Sequence, residues 1–237
     1  MKKTSALLKR HLESDMNKYD FKFISSRNRF ERRKHYGFQY IGWSSHISLS
    51  DDDTELAYHM NTGLGLQHRV VTDLMRPLGL LVGEANIKAG PTIHRGLGRL
   101  FPFEKDRDRL IILKFSALES DMKDAAGRII DMLENDGLAW FERYSDLEII
   151  CDEINNPLLG RQAASLLNND MSISLYGVAM ACLVQSDKAS FYVERYLDHW
   201  EKLDAEIKSR GHDATSKAEH YKEKIAILSE SAGVKLL

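Results

Sequence analysis

Proline, cysteine and long apolar runs are the scarce features of this chain. Four prolines and fifteen glycines in 237 residues are too few for collagen-like or extended disordered segments. Nowhere do about eighteen apolar residues run together, so no transmembrane helix is expected. Met1-Lys2-Lys3-Thr4 has the positive charge of a secretion signal, but Leu7-Leu8 gives way at once to Lys9-Arg10-His11. That leaves no apolar segment for export. Cys151 and Cys182 have no CxxC partner and fall in helical, partly apolar patterns. Free thiols in a reducing, cytoplasmic compartment of a bacterial-style protein are expected. Catalytic signatures are also missing. There is no G-x-S-x-G, no H-x-H or H-E-x-x-H, and no Cys/His metal spacing. No catalytic residue, cofactor or metal is therefore assigned.

What the chain does have is an uneven charge. The net charge is only −2, yet residues 1–115 hold 20 Lys+Arg against 13 Asp+Glu, and residues 116–237 hold 13 against 22. Within residues 1–34 there are 11 basic and 4 acidic side chains. Such a split suits either a nucleic-acid arm or a charged protein partner, or simply two solvated surfaces.

The hydrophobic period changes once along the chain. Leu7, Leu8, Leu12 and Met16 make one face of an N-terminal helix capped by Thr4 or Ser5. Strands follow at Arg29–Lys34, Phe38–Leu49 and Glu55–Leu66. Phe38, Tyr40 and Gly42 share one face of the second, with Gln39, Ile41 and Trp43 on the other. A short helix occupies 69–78, and a buried strand 109–115. Between them, 79–108 is broken by glycine and proline. From Ser116 the period is helical. One helix starts at Ser120 or Asp121 and stops at Asn135-Asp136-Gly137. A short one follows, then one capped by Ser145 and closed by Asn155-Asn156-Pro157. A helical hairpin covers 172–209, and a last helix about 214–230. The fold class is α+β: an N-terminal helix on a mainly antiparallel sheet (1–115), then an all-helical part (116–237) containing a helical hairpin and packed on the sheet as one unit.

Several stretches resemble a bacterial family of unknown function, the domain-of-unknown-function 4304 family. They are Asp20-Phe21-Lys22-Phe23 before the basic strand Arg29-Phe30-Glu31-Arg32, the strand end Met60-Asn61-Thr62-Gly63, and Gly137-Leu138-Ala139-Trp140-Phe141 after a long helix. The resemblance spans roughly residues 5–205. It implies a small α+β protein, similar to immunity or accessory components of bacterial conflict systems. It implies no catalytic residues.

Three groups of residues carry candidate functions. Arg29, Arg32 and Arg33, interleaved with Phe30 and followed by Tyr36, Phe38, Tyr40 and Trp43, could bind single-stranded nucleic acid. The competing reading makes the rings cross-strand packing and the arginines a solvated edge. His59, His94, Arg95 and Arg99 could line a pocket between the sheet and 79–108 that takes phosphate, nucleic acid or a substrate. Asp146, Glu148, Asp152 and Glu153 form an acidic face suited to a basic protein surface. A non-enzymatic protein-binding factor is the expectation, with the pocket as the alternative.

Overall fold

The computed structural model describes residues 2–49, 55–79, 93–96, 111–116, 118–159, 170–211 and 215–236. The helix–sheet–helices order expected from the sequence is present. Helix α1 spans Lys2–Lys18. The strands are β1 (Lys22–Ile24), β2 (Arg29–Lys34), β3 (Gly37–Leu49), β4 (Leu56–His68), β5 (Ile93–Gly96) and β6 (Ile111–Lys114). Helices α2 (Arg69–Met75, extended by a 3₁₀ turn at Arg76–Leu78), α3 (Leu118–Met132), α4 (Leu138–Arg143), α5 (Leu147–Asn155), α6 (Asp170–Val184), α7 (Ala189–Ser209) and α8 (Lys217–Ala232) follow. By contact the chain forms two compact units. One holds residues 1–66 and 94–143, the other 67–93 and 144–237.

In the first unit the sheet order is β1-β2-β3-β4-β5, with β6 also on β4. β1–β2, β2–β3 and β4–β6 are antiparallel. Leu8, Leu12 and Met16 of α1 are buried with Phe21, Phe30 and Ile41, as the leucine stripe requires. α1 packs on α3 and β1. Thr4 and Ser5 lie inside α1 rather than capping it, because the helix already runs from Lys2. The Ser5 hydroxyl instead accepts from Trp43 Nε1 at 3.4 Å.

Asn135-Asp136-Gly137 does not end its helix. α3 passes through a π-helical turn at Leu133–Gly137 directly into α4. Gly137 serves close packing there, since a methyl group on it would sit 3.1 Å from Leu133 Cδ1 and 3.3 Å from Leu64 Cδ1. A glycine read as a stop is here a contact.

The centre of the sheet is fixed by a glycine under a ring. A Cβ at Gly65 would lie 2.1 Å from Tyr40 Cε1, so only glycine lets β4 accept the Tyr40 ring. The Arg29 guanidinium carbon lies 3.9 Å from the centroid of the same ring.

In the second unit, the hairpin α6–α7 joins through a 3₁₀ turn at Ser186–Lys188. Tyr192, Tyr196 and Trp200 face inward with Tyr221, Ile225 and Leu228 of α8. Asp146, not Ser145, caps α5 by accepting from the Glu148 amide at 2.8 Å. Asp204 of α7 holds the start of α8. Its carboxylate accepts from Ser216 Oγ at 2.7 Å and from the Lys217 and Ala218 amides at 2.9 Å.

Two outcomes follow. Gly65→Ala is expected to destabilise the fold by about 2–4 kcal/mol in urea unfolding, and Tyr40→Ala in the same chain to recover part of that loss. For Asp204, partial burial opposes its charge, but the bonds from Ala218, Ser216 and Lys217 outweigh it and lower its pKa. A carboxylate lowered by folding stabilises above its unfolded pKa of about 3.9, and that contribution fades as pH falls through the lower folded value. Protection of the Lys217 and Ala218 amides, measured as exchange relative to the intrinsic rate at each pH, is therefore expected to fall below about pH 4, and Asp204→Asn to remove that pH dependence.

Candidate functional site

The antiparallel register decides the fate of the basic strand. Glu31 pairs with Tyr40, Arg32 with Gln39 and Arg33 with Phe38. Alternation therefore sends Arg29, Glu31 and Arg33 to the Tyr40 face and Arg32 to the Gln39 face. Arg29 is not a solvated edge residue. Its side chain is 11% exposed, bonded through Nε to Glu31 at 2.6 Å and laid over Tyr40. Arg32 sits against Phe21 and Phe141, with guanidinium-to-centroid distances of 4.6 and 5.6 Å. Arg33 is exposed. The rings that would stack on nucleic bases are engaged with one another: Phe23, Phe30 and Trp43 have centroids 5.2–6.1 Å apart.

The histidine and loop candidates do not assemble among the described residues. His59 is buried, with its Nε2 2.8 Å from the Leu49 carbonyl oxygen. His94 and Arg95 lie in β5, with side chains outside the described residues, as is Arg99 altogether. Among the described residues no group of three His, Cys, Asp or Glu could hold a metal ion. A cleft of about 420 Å³ opens by β6 and α3, where Lys114 and Arg128 alternate with Asp121 and Asp124. Asp121 is committed to the Lys114 amide at 2.9 Å, so the cleft presents mixed charge rather than one polarised site.

Among the described residues, burial raises rather than lowers the thiol and phenol ionisations. Burial pushes the Cys151 and Cys182 thiols up to about 11, and the Tyr40 and Tyr176 phenols up to about 12. Burial is the largest influence on both thiols, and a thiol raised by burial is inert.

The acidic candidates are better placed. Asp146, Glu148 and Asp152 are exposed on α5, while Glu153 is part-buried and accepts from Tyr144 Oη at 2.7 Å. Asp152 is tied to the α6–α7 turn, because Gln185 Nε2 donates to its Oδ1 at 2.9 Å. Gln185 in turn accepts from Tyr192 Oη at 3.3 Å, and that hydroxyl accepts from Asn156 Nδ2 at 3.3 Å. Two large apolar side chains flank the same turn in sequence. Leu183 is 42% exposed and Phe191 52% exposed, with Asp187 exposed between them. The result is an acidic helix edge locked to a turn that carries exposed apolar groups.

Leu183 is not readable as a surface residue. α6 is apolar on nearly all sides, with Ile173 through Ala181 buried without interruption. Its hydrophobic period therefore gives no outward face. Asp152 was readable from charge, but not its link to Gln185.

Among the described residues no helix is long and apolar enough to cross a membrane. No family model, curated protein or solved structure matches the chain. The resemblance carried by Asp20-Phe21-Lys22-Phe23, Arg29-Phe30-Glu31-Arg32, Met60-Asn61-Thr62-Gly63 and Gly137-Leu138-Ala139-Trp140-Phe141 rests on those residues alone. The raised thiols give one expected outcome here. At pH 8, iodoacetamide should modify Cys182 of the native protein at least about tenfold more slowly than free cysteine, as followed by mass spectrometry.

Proposed function

We propose that this chain is a non-enzymatic protein-binding factor of the immunity or accessory type, acting through the acidic and apolar surface at α5 and the α6–α7 turn. The observation that carries the reading is the pairing of fixed charge with exposed apolar groups. Asp152 is held by Gln185, and Leu183 and Phe191 stand open to solvent on either side of the turn. Large apolar side chains beside oriented charge are what recognition surfaces use, an aromatic anchor giving affinity and the charges giving steering and register. The excess of acid over base in residues 116–237 favours a basic partner surface, such as that of a toxin or nuclease.

The test is calorimetric titration of the purified product of the neighbouring gene into this protein. Saturable binding is expected to weaken with added salt, and to fall by at least about tenfold with Asp152→Lys or Phe191→Asp. Arg33→Ala is expected to leave it unchanged. Absence of saturable binding, or binding that both surface substitutions leave intact, overturns the proposal.

A further inference from the structure

Arg29 and Arg32 sit on one strand and are both pressed against aromatic rings, yet only Arg29 has a counter-charge. Arg29 pairs with Glu31 at 2.6 Å. Arg32 is half-buried, and its bonds go to neutral acceptors: Nε to Gln39 Oε1 and Nη1 to the Tyr19 carbonyl at 3.3 Å. Among the described residues it forms no ion pair, and Asp20 acts on it only through space. Nη2 has no hydrogen-bond acceptor among them.

A guanidinium withdrawn from water without a carboxylate is costly, and buried charges are ordinarily paired. Burial is the main influence on Arg32, and it opposes the charge. The surroundings hold the group still nonetheless. Gln39 is fixed from its other end, its Nε2 donating to Tyr36 Oη and to the Phe141 carbonyl at 3.4 Å. The rings of Phe21 and Phe141 lie against the guanidinium. Exposed Lys34, two residues further along the strand, adds positive potential on the same face.

We propose that Arg32 is the base of an oxyanion-binding site, which takes a carboxylate or phosphate group on the guanidinium edge that the protein leaves unbonded. Arginine suits this role because its planar fork meets both oxygens of such a group at once. Gln39 is the positioning residue, holding the fork through Nε while Tyr19 takes one Nη1 hydrogen, which leaves Nη2 and the second Nη1 hydrogen for the ligand. The site belongs to the first unit and does not depend on the partner surface proposed for the second.

The experiment follows the Arg32 Nε–Hε resonance and the backbone amides of Arg33 and Gln39 by NMR at fixed ionic strength. Inorganic phosphate is added in one arm and a short poly-glutamate peptide in the other. A saturable shift in either arm is expected. Tighter saturation by the peptide identifies a protein carboxylate as the source, and tighter saturation by phosphate a free oxyanion. Arg32→Lys, which keeps charge but loses the fork, is expected to weaken binding at least about tenfold. Arg33→Ala should change it by less than about threefold, as loss of one screened surface charge does. The wild-type resonance reads the site even if a substitution at 32 unfolds the chain. No saturable shift in either arm, or a shift of the two amides retained in full by folded Arg32→Lys, overturns the inference.

Discussion

The second unit depends on one buried amide. Asn155 is fully buried at the end of α5, and every direction of its side chain is used. Nδ2 donates to the Cys151 carbonyl at 2.9 Å and to the Gly177 carbonyl at 3.1 Å, and Oδ1 accepts from Tyr196 Oη at 2.9 Å. One side chain thus joins α5, α6 and α7. A buried polar group of this kind is costly unless satisfied, and once satisfied it specifies a single packing. Gly177 is the condition for it, because a methyl group there would fall 2.5 Å from Asn155 Oδ1 and 3.0 Å from Tyr196 Oη. The acidic and apolar surface at α5 and the hairpin turn is built on this junction. Its residues have a fixed relation only because the three helices do.

The first unit rests on a similar economy of close approach. Gly65 admits the Tyr40 ring, Tyr40 supports Arg29, and Glu31 neutralises Arg29. The opposite face of the same strand repeats the arrangement without the acid. Arg32 has its rings, Phe21 and Phe141, and its orienting amide, Gln39, but no ion-paired carboxylate among the described residues. The difference between these two arginines is what turns a structural motif into a candidate binding site.

Local periodicity made much of the fold legible. The leucine stripe of α1 and the alternation of β3 each depend on near neighbours in the chain, which sequence records directly. Errors fell where a residue type has two uses. Asn135-Asp136-Gly137 has the composition of a helix stop, but Gly137 is spent on contact with Leu64 and Leu133. Asn155-Asn156-Pro157 does end a helix, yet nothing local reveals that Asn155 is also the joint between three helices. The basic strand misled in the same way. Composition marks Arg29, Arg32 and Arg33 as a group, while register and packing separate them.

By itself the sequence determined the order of elements, the faces of β3, the missing catalytic signatures and the acidic bias of the second half. These follow from spacing and composition, which fold locally or not at all. Tertiary structure alone decided which charges are spent and which remain. Glu31 lies within reach of Arg29 and not of Arg32 because alternating residues leave a strand on opposite faces. Leu183 is exposed at the end of α6, although Ile173 through Ala181 are buried, because an all-apolar helix has no intrinsic outside until others pack on it. Counter-charge and burial are properties of neighbours distant in the chain, and only the folded molecule assigns them.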